Sequence, residues 1–163
     1  MAMITLAEVI ERAAGLETQL REVYESFAEL FSAEPEAASF WQEMAEGERV
    51  HASQLVETLS AYSPERLAEQ ADLKLVSAVD GVEEAVREAR GVPVVTLDDA
   101  YEVAHMLESS EINTVFGLLV AMPSDTQSVS TLVAAQFDEH LAGLAEFGKS
   151  FDREARKSCK ADE

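Results

Sequence analysis

Apolar residues recur at helical spacing through four long stretches of this chain, and the breaks between the stretches run short, long, short. Thr5 with Glu8 makes a capping box, after which Leu6, Val9, Ile10, Ala13, Leu20, Tyr24, Phe27 and Phe31 share one face. Ser32 to Pro35 is a brief interruption before Phe40, Met44, Leu55, Leu59 and Tyr62 mark a second helix. Ser63 and Pro64 then restart the chain. The segment that follows carries Leu67, Leu73, Leu75, Val76, Val79, Val82 and Val86 without one clean stripe, and reads as short helices broken around Asp80 and Gly81. Thr96 with Asp99 opens a third helix containing Ala100, Ala104, Leu107, Val115, Leu118 and Met122. Pro123 and Ser124 end it, and the fourth helix presents Val133, Phe137, Leu144, Phe147 and Phe151.

Short links make antiparallel neighbours, so helices one and two form one hairpin and helices three and four another. A helix of about 26 residues is roughly 39 Å long at ~1.5 Å per residue, and a connection spanning the bundle needs some tens of residues. Residues 63–95 supply them, which sets helices two and three parallel. The expected architecture is all-α: a ferritin-like four-helix bundle of two antiparallel hairpins joined by a long, partly helical crossover. A single domain, 1–163, divides into a first hairpin at 5–62, the crossover at 63–95, a second hairpin at 96–151 and a polar tail at 152–163.

A chain of 163 residues buries a continuous core without disulfides or a structural metal, so a metal here would be functional. The net charge of -20, from 32 acidic against 12 basic residues, repels phosphate backbones and anionic lipid. Nucleic acid and membrane surfaces are therefore excluded as partners. The first residues form no basic segment followed by an apolar run, and no stretch approaches the ~20 apolar residues that span a bilayer. The expectation is a soluble cytoplasmic protein. Cys159, the one cysteine, sits in the polar tail and has no companion for a disulfide or a thiolate metal site.

Chemistry concentrates on the apolar faces. Glu17 in helix one and Glu108 in helix three fall at the same offset from their stripes, and His51 in helix two is matched by His140 in helix four. Glu48 forms a Glu-x-x-His unit with His51, whereas Phe137 stands at the equivalent place before His140. Glu111, three residues after Glu108, falls nearer the centre of its stripe and offers a replacement carboxylate. Ionised carboxylates are costly to bury unless paired or bound to a cation, and bundle cores build two-metal sites from this kind of set. The candidate metal ligands are Glu17, Glu48, His51, Glu108, Glu111 and His140. No catalytic residue separate from these ligands stands out. His105 points away from the stripe and reads as a surface residue, while Tyr24 and Trp41 read as packing, the Tyr24 hydroxyl seeking a partner.

At these residues the chain resembles rubrerythrins and the wider ferritin-like diiron proteins, most closely in Leu16 to Tyr24 and in Ala45 to Ala52. Glu17 and Tyr24 look like the family's first-helix ligand and the tyrosine that follows it. Glu48 with His51 resembles its Glu-x-x-His; Glu108 and Glu111 resemble the two third-helix carboxylates, and His140 the fourth-helix histidine. The resemblance departs at Phe137, where the family has a glutamate that helps bridge the irons, and at Val115, where the resemblance implies a second tyrosine.

The resemblance implies iron as cofactor, in a di-metal site reduced to one metal if the loss at Phe137 is not made good. It also implies reaction with peroxide or oxygen, or ferroxidase chemistry. Without the family's cysteine-rich rubredoxin module, electrons would come from an external donor. The alternatives are a degenerate bundle with a structural or partner-binding role, and an iron-storage shell. The crossover, apolar without a clean stripe, is expected to cover a homodimer interface.

Overall fold

In a computed structural model, which describes residues 4–110, 115, 119 and 142–149, the chain is helical, and its one β feature among those residues is an isolated bridge between Thr5 and Gln70. Helix α1 spans Leu6–Leu30 and α2 Pro35–Ala61. The capping box at Thr5 is formed in full: its hydroxyl accepts from the Glu8 N–H while the Glu8 carboxylate accepts from the Thr5 N–H at 2.7 Å. Pro35 opens α2, where its missing N–H costs nothing. Only residues 31–34 separate the two helices, so they fold back on each other as a hairpin.

The crossover begins with α3, Pro64–Leu67, capped by Ser63. The chain then pairs with the start of α1, Leu6 donating to the Glu69 carbonyl and Ala71 to that of Ile4, each at 2.9 Å. Next comes α4, Leu73–Gly91, capped by Asp72. Arg12 reaches Asp80 and Glu83 near the start of α1, and Glu22 meets Arg90 farther along, so α4 runs parallel to α1. It thereby carries the chain to the other end of the bundle. Helix α5, Leu97–Glu108, starts behind a second capping box, Thr96 with Asp99, and returns to place Glu108 beside Tyr24. Helices α2 and α5 are thus parallel, as the length of the crossover requires.

Two expectations need correction. Helix α4 is not broken at Asp80 and Gly81; it runs through both, burying Leu75, Ala78, Val79, Val82, Val86 and Ala89 in a regular stripe. Leu73 and Val76, which lie off that stripe, together with its two alanines, concealed the pattern in the sequence. Nor does the third helix continue unbroken: α5 closes at Glu108 with a turn at 109–110, although 115 and 119 are again helical. The Ser110 hydroxyl donates to the Leu107 carbonyl at 2.6 Å, just past the helix end.

Residues 142–149 form a further helical segment. It docks through Phe147, stacked on Phe40 at 3.9 Å between ring centroids and meeting Trp41 edge-on at 5.5 Å. Gly148 passes so close to α5 that a Cβ there would lie 2.8 Å from the Tyr101 ring. Trp41 is fully buried and also contacts Phe27 and Tyr24, so one side chain joins α1, α2 and the 142–149 segment. Among the described residues no helix is long and apolar enough to cross a membrane.

Core packing therefore outweighs the exposed ion pairs. Trp41→Ala is expected to lower the unfolding free energy by about 3–5 kcal/mol in urea denaturation followed by far-ultraviolet circular dichroism. Arg12→Ala, which removes two partly exposed ion pairs, should cost less than about 1 kcal/mol in the same measurement.

Candidate metal centre

Glu17 comes from the middle of α1; Glu48 and His51, one turn apart, come from the middle of α2. The antiparallel hairpin sets them against each other. All three are buried, with exposures of 2%, 2% and 3%. Judged by the apolar stripe of α1 alone, Glu17 lies near its edge, where a carboxylate reaches solvent. Instead α2 covers the flank of α1 on which Glu17 lies, setting Glu48 and His51 against it, and the carboxylate is enclosed.

The Nδ1 atom of His51 lies 2.9 Å from Glu48 Oε2 and 3.8 Å from Glu17 Oε2. One potential ligand atom from each residue falls within 4.8 Å of the other two, and together they could hold a metal ion. Two carboxylate oxygens and an imidazole nitrogen converging in an apolar interior are a donor set suited to iron, manganese or zinc.

Burial pushes the Glu17 carboxyl well above the usual carboxylate range; the negative charge of Glu48 pushes it further, while the bond to His51 opposes both. For His51, burial alone would lower the pKa, but its contacts with Glu17 and Glu48 outweigh that and lift it to about 10. The two shifts draw on each other, because His51 is lifted by the ionised forms of acids that burial tends to neutralise. Either way the cluster retains protons at neutral pH. A divalent cation removes the need for them, offering the carboxylates a counter-charge and taking the imidazole in its neutral form.

Glu108, the last residue of α5, is also buried, at 2% exposure. Its Oε1 accepts a 2.6 Å hydrogen bond from the Tyr24 hydroxyl. Burial and the charges of Glu108 and Glu48 hold the Tyr24 phenol well above its ordinary pKa, so it stays a donor. The tyrosine ring in turn stacks on Trp41 at 6.0 Å with the planes 21° apart. Tyr24 is thus more than packing: it fixes the orientation of Glu108. The available signal was its position two turns after Glu17, on the same side of α1.

The structure therefore brings Glu17, Glu48 and His51 together and buries Glu108, which is tied to α1 through Tyr24. Glu111, Phe137 and His140 lie outside the described residues. His105 is exposed, with its ring 6.1 Å from Tyr101 and away from the cluster.

The sequence profile of the rubrerythrin family matches residues 8–121, a span containing Glu17, Tyr24, Glu48, His51, Glu108 and Glu111. No curated protein and no solved structure matches the chain.

Two outcomes follow from the buried charges. Raised pKa values for Glu17 and His51 mean that the folded, metal-free protein binds more protons than the unfolded chain. Its stability should fall as pH rises from about 4.5 through the raised Glu17 value, and between about 6.5 and about 10 for His51. Glu17→Gln should maintain or raise the metal-free Tm at pH 8 relative to wild type and flatten this slope, as read by thermal melts across pH. Metal uptake should release protons, so apparent affinity weakens on acidification from pH 8 to 6, by up to about tenfold per pH unit for each proton displaced. Calorimetry in buffers of different ionisation enthalpy counts those protons.

Proposed function

The chain belongs to the rubrerythrin family, whose domain is a ferritin-like helical bundle, and from that premise we propose that it is an iron protein that reduces peroxide or reacts with oxygen at a carboxylate-rich centre. The ligands assigned are Glu17, Glu48, His51 and Glu108, with Glu111 and His140 completing the set by their place in the sequence. The observation that carries this reading is the convergence of Glu17, Glu48 and His51 in the core, where carboxylates are uneconomical without a cation.

Bound iron would supply one-electron steps between its ferrous and ferric forms, taking electrons from a donor and delivering them to an oxygen–oxygen bond. The protein's own part follows from the residues. Glu17, Glu48 and Glu108 offer hard oxygen donors that favour the higher ferric charge, and His51 adds a neutral ligand. Burial excludes bulk water, and Tyr24 keeps Glu108 from swinging out of the core. We assign the electrons to a separate donor protein, the location to the cytoplasm and the working form to a homodimer.

Phe137 favours a second reading, a bundle that retains the family scaffold for partner binding without metal. An iron-storing ferroxidase is a third, and particle size in solution checks it: a closed shell elutes far above a dimer.

Metal analysis of protein purified from iron-supplemented cells separates the leading reading from the second. Roughly one or more equivalents of iron per chain are expected, and less than about 0.2 equivalents of any transition metal would exclude the iron reading. Ferrous protein mixed anaerobically with hydrogen peroxide should oxidise within one mixing experiment, with a rise in near-ultraviolet absorbance. Glu48→Gln should reduce both the bound iron and that rise by at least about tenfold.

A further inference from the structure

Large apolar side chains stand in solvent at one end of the bundle. Leu30, at 51% exposure, closes α1, while Val92 and Val95, at 44% and 75%, follow the end of α4. Leu30 and Val92 flank a groove between α1 and the chain leaving α4, with the nearly buried Phe27 at its base. The same Phe27 ring meets Trp41 at 5.1 Å and Tyr24 at 6.2 Å. The surroundings are acidic. Glu22 lines the groove, and exposed Glu34, Glu88 and Asp98 lie within four residues of Leu30, Val92 and Val95 respectively. Arg90, the one base in 22–36 and 88–99, is already paired with Glu22. Apolar side chains ringed by acids suit an occupant that is cationic and brings apolar surface of its own.

This chain carries such an occupant. Five of its 12 bases, Lys149, Arg153, Arg156, Lys157 and Lys160, fall together, interrupted by the acids Asp152 and Glu154 and followed by Asp162 and Glu163. The described helical segment reaches Lys149 beside Gly148, which abuts Tyr101 one turn into α5, and α5 begins just after Val92 and Val95. Phe147 stacks on Phe40 near the start of α2, just past the link from Leu30. Lys149 therefore stands at the end of the bundle that bears the groove. Neighbouring helices are ~8–10 Å apart, so about three extended residues at ~3.3 Å each cross from α5 to α1. We propose that residues 150–163 dock back on this face. The carbon stems of Arg153, Arg156 and Lys157 cover Leu30, Val92 and Val95, and their charges meet Glu34, Glu88 and Asp98. So short a tether holds the segment at roughly millimolar effective concentration, so weak individual attractions suffice. A second copy of the chain would instead set the same acids against one another. Docked there, the segment covers the aromatic rings nearest Tyr24 and Glu108 and competes with any partner protein for that face. Docking of this kind requires no bound metal, so its failure would leave the metal reading untouched.

Cys159, the one cysteine, accepts a nitroxide label in the full chain without any substitution. In methyl spectra of the labelled, metal-free protein, Leu30, Val92 and Val95 should lose at least about half their intensity relative to the same sample with the label reduced. The intensity should return in about 1 M salt, where charges are screened within about 3 Å. Val56 and Leu73, exposed apolar residues at the opposite end of the bundle, should be unchanged. Arg153→Gln, Arg156→Gln and Lys157→Gln combined should abolish the localised loss. No loss at any of these methyls, equal loss at both ends, or loss confined to Val56 and Leu73 would overturn the docking. Loss that persists in the triple variant would overturn it too. So would loss that passes at full strength to unlabelled chains mixed with labelled ones, which would place the segment on a second copy.

Discussion

Ionisable groups taken out of water are the constraint on which the rest of this structure turns. Glu17, Glu48, His51 and Glu108 occupy positions that would be filled by leucine or alanine in a bundle built only for stability. Isolated, each carboxylate would have to be protonated or would destabilise the fold. Here they face one another through the imidazole of His51 and the hydroxyl of Tyr24. That arrangement satisfies part of their hydrogen-bonding capacity but leaves carboxylates adjacent to carboxylates. A cation resolves the conflict more fully than protons do, which is why the same residues weaken the empty fold and define its chemistry.

Apolar packing supplies the rigidity that such a site needs. Helix α1 is covered by α2 on one flank and α4 on the other, while Trp41 locks the hairpin to the 142–149 segment. The crossover helix is therefore not a passive connection. By running parallel to α1 along Val79, Val82 and Val86, it removes solvent from the back of the helix that carries Glu17 and Tyr24. The low dielectric around the carboxylates follows from their own burial, Glu17 and Glu48 within the hairpin and Glu108 against Tyr24.

Much of this was legible in the sequence. Thr5 with Glu8 and Thr96 with Asp99 marked helix starts that the structure forms as capping boxes, and the short and long connections gave the helix directions. The apolar stripe of the second helix also placed His51 in the core, with Glu48 to one side of it. What could not be read is what depends on more than one helix. The burial of Glu17 comes with α2 packing over its flank of α1, bringing Glu48 and His51 against it, which the α1 stripe does not record. The continuity of α4 was hidden by Leu73 and Val76, apolar residues lying off its buried stripe. The bond from Tyr24 to Glu108 joins residues far apart in the chain, and the apolar spacing beyond Leu107 does not record that α5 closes at Glu108. Periodicity reports faces, while partners across faces come from packing.

The central claim is that the hairpin carboxylates and imidazole form a metal site rather than a polar core held together by protons. Crystals of the full chain grown with ferrous iron, and measured on both sides of the iron absorption edge, test it directly. An anomalous peak is expected among Glu17, Glu48 and His51, at about 2.0–2.3 Å from a ligand atom of each. Peaks confined to the acidic surface, with His51 Nδ1 still bonded to Glu48 and no density between them and Glu17, would contradict the account.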